Sequence, residues 1–264
     1  MTPTDTTSGP TLTYPVPPFV SAHQRARATI VLLWVGIVIH LIAVPIDVIA
    51  IVLPEVDPNQ VTSDNLAGSL ALLSQGVLGL VSAGVYIATA VIFLMWLYRA
   101  CSNLPAFGAQ KRFIGYSPGW AVGYFFLPFA NLFMPYQAIK ELWQKSQPPS
   151  EEALFSSSLS PPGVFPLWWG FWLACNFAGN IYFRLSTASA SRQVIFSLGA
   201  AVDVFTIIAA WLATMVIKEI DERQTHAAGD VPAAPVPPPP PVFGASDMIT
   251  RPKPAFSTGE SVET

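Results

Sequence analysis

Two carboxylates lie inside long apolar stretches of this sequence, Asp47 in the first stretch and Asp203 in the last. An ionised side chain at the centre of a bilayer costs on the order of 2.5–3.5 kcal/mol on insertion scales, so each carboxylate needs a partner or a proton. Thr206 lies one helical turn after Asp203 and has a hydroxyl that can donate to it. These three residues are predicted to form an intramembrane polar site, with Arg184 or Arg192 as a counter-charge. The alternative is that each carboxyl is a neutral packing residue with a single hydrogen bond.

A second group of polar residues, prolines and glycines lies in the middle of the chain, at spacings that simple burial does not need. Ser117 followed by Pro118 is typical of a helix start, because the hydroxyl accepts from free backbone N–H groups and proline needs no hydrogen bond there. Pro128 and Pro135 each remove a backbone donor and free a carbonyl oxygen. The predicted motif surface comprises Trp96, Arg99, Asn103, Ser117, Pro118, Gly119, Trp120, Pro128, Asn131, Pro135, Tyr136 and Gln137.

The two prolines fall on one helical face with Tyr124 and Asn131, at i, i+4, i+7 and i+11. Lipid cannot satisfy the freed carbonyls, so this face must look toward protein or water. Residues 138–145 are amphipathic and belong at the membrane interface. The pattern therefore predicts a re-entrant or interfacial segment over 117–145, with a full crossing by 117–137 as the alternative.

This motif resembles a family of bacterial membrane proteins, the domain of unknown function 4328. The family pattern is a Trp and an Arg before Asn-Leu, then Ser-Pro-Gly-Trp-Ala-Val-Gly, then Pro-Phe-Ala-Asn-Leu and Pro-Tyr-Gln. It occurs here at 96–104, 117–123, 128–132 and 135–137. The flanking hydrophobic segments extend the resemblance loosely over 25–223. The family has no established activity, so the resemblance implies a membrane protein and no particular chemistry.

The composition is that of a membrane protein, with 52% hydrophobic and 11% charged residues. A net charge of -3 gives no general basic field for nucleic acid, which is therefore not an expected partner. Cys101 and Cys175 lack the spacing of a zinc site or a disulfide framework. The histidines are scattered, and His40 is interpreted as a packing residue. No phosphate loop, HExxH or nucleophile elbow occurs, so no motif predicts an enzyme, a metal or a cofactor.

Four apolar stretches are long enough to cross a bilayer, because a helix rises about 1.5 Å per residue against about 30 Å of hydrocarbon. They cover 29–53, 70–98, 164–183 and 194–217. The predicted fold is an all-α membrane protein, a bundle of four transmembrane helices plus the interrupted segment 117–145. This membrane domain is expected to extend over 25–223.

Both ends of the chain are poor in aliphatic side chains, and the second carries a run of prolines. Such segments cannot bury enough apolar surface to offset the entropy of ordering them, which predicts disordered tails over 1–24 and 224–264. Deleting 1–20 together with 225–264 is therefore expected to leave thermal unfolding of the detergent-solubilised protein nearly unchanged.

The distribution of Lys and Arg favours four crossings over five. Four crossings put eleven of these residues inside and two outside, whereas five crossings put seven inside and six outside. Cytoplasmic loops carry the excess of basic residues. The expected location is therefore the bacterial cytoplasmic membrane, with several crossings and both termini in the cytoplasm.

Two functions from different classes are compatible with these patterns. The first is a non-enzymatic membrane protein whose segment 117–145 binds membrane lipids or a protein partner on the cytoplasmic side, where basic residues attract anionic groups. The second is a small transporter or channel using Asp47 and Asp203, because interrupted helices and intramembrane carboxylates also build substrate sites. A third, an intramembrane enzyme with the same carboxylates, lacks a recognisable aspartyl motif.

Overall fold

A long helix opens the described part of the chain and a longer one closes it. The computed structural model describes residues 17–52, 66–107, 114–147, 160–188 and 190–230, excepting the side chains of 66–72, 74, 75 and 230. The α-helices are α1 (His23–Val52), α2 (Leu66–Ser102), α3 (Pro118–Gly123), α4 (Met134–Lys145), α5 (Val164–Thr187) and α6 (Arg192–Asp230). Short 3₁₀ helices cover Leu104–Phe107, Tyr124–Phe126 and Ala130–Leu132. The predicted all-α fold class is confirmed.

Three described helices are long and apolar enough to cross a membrane, by length and composition: His23–Val52, Gly76–Phe107 and Arg192–Gly229. This is the pattern of a multi-pass membrane protein. Helix α5 has 24 residues but is not among the three, since its tryptophans, Asn176 and Asn180 lower its mean hydropathy. All four predicted stretches are helical where they are described. The number that cross stays a prediction.

Helix α1 lies between α2 and α6, and α6 also packs against α5. Helices α1 and α6 are antiparallel. Near the start of α1, His23 Nδ1 lies 2.6 Å from Asp221 Oδ2, and further along, His40 Nδ1 lies 2.7 Å from Asp203 Oδ1. The start of α1 and the C-terminal part of α6 therefore share one end of the bundle, here named the packed end.

The buried core is concentrated at the packed end. Its fully buried members include Trp96 near the end of α2, Phe165 at the start of α5 and Ile217 of α6. Toward the opposite end, α1 and α2 expose large aliphatic side chains such as Leu41 and Leu80. Water-soluble monomers rarely leave long apolar faces uncovered, whereas a bilayer covers them. This uneven burial agrees with a helix bundle surrounded by lipid.

Small residues on α2 predict the close approach of a neighbouring helix. Next to Gly76, Gly79 and Gly84, however, the described residues leave open space within 4 Å of where a Cβ would lie. Helix packing is therefore not what these glycines do in the described part of the chain.

A buried polar cluster ties the N-terminal segment to three helices at the packed end. Asn103 Oδ1 accepts from the Val20 N–H (3.3 Å), and Asn103 Nδ2 donates to the Val20 carbonyl (3.0 Å) and to Gln224 Oε1 (3.2 Å). Gln224 Nε2 donates to the Ala100 carbonyl (2.9 Å) and the Ser146 hydroxyl (3.1 Å). Buried amides need such partners, so this cluster fixes α2, α4 and α6 relative to one another.

The predicted tail boundaries are wrong at both inner edges. Val20 is held by Asn103, and Ala22 is buried. Helix α6 continues to Asp230, because Gln224 and Ala227 lie one turn apart on a face that packs into the bundle. Deleting 1–20 and 225–264 would remove Val20 and the buried Ala227 and is not expected to be neutral. The rest of the predicted tails, 1–16 and 231–264, lies outside the described residues.

We expect Asn103→Ala to lower the free energy of unfolding by roughly 1–3 kcal/mol, because the Gln224 oxygen stays buried without this donor and the Val20 N–H loses its acceptor. Thermal unfolding in lipid nanodiscs measures the change. Asn180→Ala is the matched control, since Asn180 is exposed and donates to the Asn176 carbonyl of its own helix (2.9 Å). Equal losses in the two variants would contradict the role of the cluster.

Candidate functional site

Residues 115–145 leave the packed end and return to it. Glu141 of α4 accepts from the backbone N–H groups of Gly115 (2.7 Å) and Tyr116 (3.1 Å), one with each carboxylate oxygen. Lys145 pairs with the same carboxylate. The two ends of the segment therefore lie side by side, and residues 115–145 are named the hairpin. A full crossing needs these ends at opposite faces of the bundle, so the geometry does not fit the five-crossing alternative.

The first half of the hairpin begins as predicted. Ser117 is the N-cap of α3, and its hydroxyl oxygen accepts from the Trp120 N–H (3.4 Å). Pro118 occupies the first turn, where no donor is needed. Burial, followed by the Glu141 carboxylate and then by Tyr124, raises the pKa of the Tyr116 hydroxyl above its ordinary value.

Two breaks reverse the chain inside the hairpin. Leu127 is extended, with φ -95° and ψ 118°, because the ring of Pro128 disfavours helical backbone in the residue before it. Phe133, with φ -132° and ψ -41°, is the second break, and α4 begins after it. The predicted single helical face through Tyr124, Pro128, Asn131 and Pro135 is wrong, because no continuous helix contains these residues.

One side of the hairpin tip bridges α2 and α5. The ring of Phe125 packs edge-on against Phe93 of α2 (centroids 5.9 Å apart) and Trp172 of α5 (6.0 Å). Trp169 Nε1 donates to the Leu132 carbonyl (3.1 Å). By helix rise, Phe93 lies about 14 Å along the axis from the end of α2. The tip thus contacts α2 well inside the helix rather than at its end.

The hairpin also carries large apolar rings that the described residues leave uncovered. Phe126, Phe129 and Phe133 are 72%, 87% and 66% exposed. Trp120 is also exposed and stacks on Tyr124, with ring centroids 5.4 Å apart. Trp120, Phe126, Phe129 and Phe133 are named the aromatic face.

The predicted motif residues do not form a single surface. Trp96 and Asn103 are buried at the packed end, and Pro135 is buried at the start of α4. Arg99 Nε donates to the Val20 carbonyl (3.2 Å), and the ring of Tyr136 lies against that of Trp169. These members hold the packed end together.

Other motif residues are exposed or partly buried. Gly119, Trp120, Pro128 and Gln137 are exposed, whereas Asn131 is partly buried and its Oδ1 has no hydrogen-bond partner. The buried members of the motif cannot meet a ligand directly. Whether any of them binds one stays a prediction.

The seam between α1 and α6 brings the two intramembrane carboxylates together. Asp203 pairs with His40, and a Cβ at Gly199, one turn before Asp203, would lie 2.8 Å from Asp47 Oδ2. Glycine therefore allows the buried Asp47 carboxyl to approach the α6 backbone. The Tyr182 ring of α5 lies 3.4 Å from the same Cβ position. Asp47, Asp203, His40, Tyr182 and Ser82 are named the polar seam.

Two details of the predicted polar site are corrected. The Thr206 hydroxyl donates to the Val202 carbonyl of its own helix (2.8 Å), and its oxygen lies 3.8 Å from Cys175 Sγ. It therefore does not donate to Asp203. The basic partner of Asp203 is His40 rather than an arginine. Both differences follow from the antiparallel packing of α1 on α6, which turns Asp203 toward α1.

The family model described as Domain of unknown function (DUF4328) matches residues 59–222, more than half of the chain. The chain belongs to the DUF4328 family. The match contains the whole hairpin together with Ser82 and Asp203, and it begins after α1, which carries His40 and Asp47. No curated protein and no solved structure matches the chain.

Sequence reasoning missed His40 and Ser82 as partners of Asp203 in this DUF4328 protein. One signal was available, because His40 and Asp47 are seven residues apart and so share a helical face. Glu141 was also missed as the residue that closes the hairpin. A glutamate in an amphipathic helix has no sequence signal for accepting from a backbone 25 residues earlier.

We expect cysteine pairs across the seam, His40→Cys with Asp203→Cys and Asp47→Cys with Gly199→Cys, to react with a short thiol crosslinker in membranes. The antiparallel packing places each pair face to face. Cys101 and Cys175 are first replaced by alanine.

The matched control for this crosslinking is Val48→Cys with Val204→Cys, next to the seam in sequence but exposed. Gel mobility after proteolytic nicking between the helices reports the crosslinked fraction. Equal crosslinking of the control pair and the seam pairs would contradict the arrangement.

Proposed function

We propose that this DUF4328 protein is a four-span protein of the bacterial cytoplasmic membrane whose hairpin enters the bilayer from the packed end and binds lipid there. The aromatic face carries the proposal. Large aromatic rings exposed at the depth of the tip are compatible with acyl chains and costly in water. The broken backbone of the tip is tolerated at membrane depth because its other side packs on α2 and α5.

The charge distribution supports a cytoplasmic packed end. The described basic residues at the packed end are Arg25, Arg27, Arg99, Lys140, Lys145, Lys218 and Arg223. At the opposite end they are Arg184 and Arg192. An excess of Lys and Arg marks the cytoplasmic side of short loops and helix ends.

Lipid is favoured over a protein partner by the combination of features around the hairpin. The tip is aromatic and apolar, whereas the packed end carries exposed arginines on α1, Arg25 and Arg27. Acyl chains match the first feature and anionic headgroups match the second. The hairpin thus acts as a half-bilayer anchor that orders the lipids next to α2 and α5.

A small transporter or channel is the second candidate, and the polar seam is the observation that favours it. Two carboxylates from different helices meet there, with Asp47 buried and the Asp203 side chain only 14% exposed. Intramembrane ionisable residues that face a bundle interior are typical of ion and substrate pathways. The hairpin would then hold the packed end closed.

We expect a green fluorescent protein fused after Asp230 to fluoresce in a bacterial host and alkaline phosphatase at the same point to be inactive, because α6 would end in the cytoplasm. The control is the same pair of reporters fused after Ala188, where the opposite result is expected. An active phosphatase after Asp230 would contradict the threading.

We expect a nitroxide at Phe129→Cys, in a background with Cys101 and Cys175 replaced by alanine, to collide with oxygen and not with a water-soluble nickel chelate. Oxygen concentrates in the hydrocarbon, where the aromatic face is proposed to lie. Power-saturation electron paramagnetic resonance in proteoliposomes measures both accessibilities.

The matched control is Lys218→Cys, an exposed position at the packed end that should collide with the chelate. Chelate access at residue 129 would contradict insertion of the hairpin. Loss of oxygen access in native membranes but not in pure lipid would indicate a protein partner over the aromatic face instead of lipid.

A further inference from the structure

We propose that His40, held between Asp203 and Ser82, is a reversible proton-binding site inside the helix bundle. The proposal is independent of the hairpin and would hold whether or not the hairpin binds lipid. The ligand of the polar seam is then a proton, and His40 Nε2 is the atom that binds it.

Both ring nitrogens of His40 have a partner from another helix. Nδ1 lies 2.7 Å from Asp203 Oδ1 of α6, and Nε2 lies 3.4 Å from Ser82 Oγ of α2. The carboxylate accepts from Nδ1–H, which leaves Nε2 of the neutral ring as an acceptor. The three residues come from three helices, so the arrangement depends on the tertiary fold rather than on local sequence.

This chain of contacts satisfies His40 in both protonation states. In the neutral state the Ser82 hydroxyl donates to Nε2. When a proton from solvent binds Nε2, the ring becomes an imidazolium, Nε2–H donates to Ser82 Oγ, and the hydroxyl rotates to act as acceptor. A serine hydroxyl can do either, whereas a purely donating or accepting neighbour could serve only one state. The Nδ1 hydrogen bond to Asp203 is kept throughout.

The charges around the seam favour uptake of a proton. The titratable groups around it are His40 and Asp47 from α1, Cys175 and Tyr182 from α5 and Asp203 from α6, whereas Tyr86 of α2 is 62% exposed. Between Arg27 and Val52, Leu66 and Tyr98, Val164 and Phe183, and Gln193 and Ile217, the sequence contains no Lys or Arg.

His40 is therefore the basic group at this depth in the four stretches. A proton on Nε2 converts the pair of neutral His40 and ionised Asp203 into an internally neutral ion pair. A low-dielectric environment favours such a neutral pair over an isolated charge.

Other ligands fit the geometry less well. Among the described residues, no group of three or more His, Cys, Asp or Glu could hold a metal ion. The order Ser82, His40, Asp203 is also that of a hydrolytic triad, but Ser82 lies in the interior of α2. Backbone N–H groups there are used by the helix, so they cannot stabilise an oxyanion.

The test is ¹⁵N-histidine nuclear magnetic resonance on the full chain in nanodiscs, between about pH 5 and 8, where histidines change charge. The chain has three histidines, so resonances are assigned with His23→Gln, His40→Gln and His226→Gln. We expect His40 to change from the Nδ1–H neutral ring to imidazolium within this range. A His40 that stays neutral, or stays protonated, throughout the range overturns the proposal in the wild-type protein itself.

Two variants separate this site from a structural role. Asp203→Asn removes the counter-charge, so His40 should lose its transition and stay neutral. The matched control is Asp221→Asn, which removes the carboxylate from the pair with His23. This is also a His Nδ1–Asp contact (2.6 Å), but the His23 side chain is exposed. Asp221→Asn should leave the His40 transition unchanged.

Variants of Ser82 test the hydrogen bond on the other side of the His40 ring. Ser82→Ala should lower the protonated fraction of His40, because a hydrogen bond from the cation is stronger than one to the neutral ring. Ser82→Thr keeps the hydroxyl and should restore that fraction. An unchanged His40 transition in Ser82→Ala, or covalent labelling of Ser82 by a fluorophosphonate probe, would overturn the assignment of Ser82 as proton-site partner.

Discussion

The bidentate contact of Glu141 with the Gly115 and Tyr116 backbone is the interaction on which the packed end depends. It closes the hairpin, and the closed hairpin is what carries Phe125 between α2 and α5. A carboxylate that accepts two backbone N–H groups forms charge-assisted bonds, which are stronger than bonds between neutral groups. Without this closure, the two backbone breaks at Leu127 and Phe133 would not by themselves return the chain to the bundle.

The closed hairpin has a second consequence at its base. It brings α4 beside α6, where Trp143 Nε1 donates to Glu219 Oε1 (3.2 Å) and the Arg223 guanidinium lies 4.2 Å from the Trp143 ring centroid. Ser146 then completes the buried cluster of Asn103 and Gln224. The packed end is thus a set of polar contacts around aromatic and aliphatic side chains. It needs α6 to continue well past the apolar stretch that could lie in a membrane.

The sequence was informative where one physical effect dominates. Long apolar stretches predict the four long helices, and a serine before a proline predicts the start of α3, because hydrophobicity and capping act locally. The path of residues 124–137 could not be derived in the same way. Periodicity assumed a continuous helix, whereas the proline breaks and the distant Glu141 decide the turn.

The candidate site shows the same division between local and distant effects. The cost of a charge in lipid identifies Asp47 and Asp203 from sequence alone. Their partners come from packing. Thr206 is near Asp203 in sequence and still bonds to its own helix, while His40 and Ser82 are distant in sequence and meet Asp203 across the seam. A rule based on spacing within one helix cannot find a partner on another.

The family match covers only part of the polar seam. Residues 59–222 match the family and supply Asp203 and Ser82, whereas α1 lies before the match. Yet α1 packs between α2 and α6 and provides His40, the group that pairs with Asp203. Removing α1 would leave an acidic side chain in the bundle without its basic partner. In this chain, therefore, α1 is part of the polar seam and not a separate membrane anchor added to the family domain.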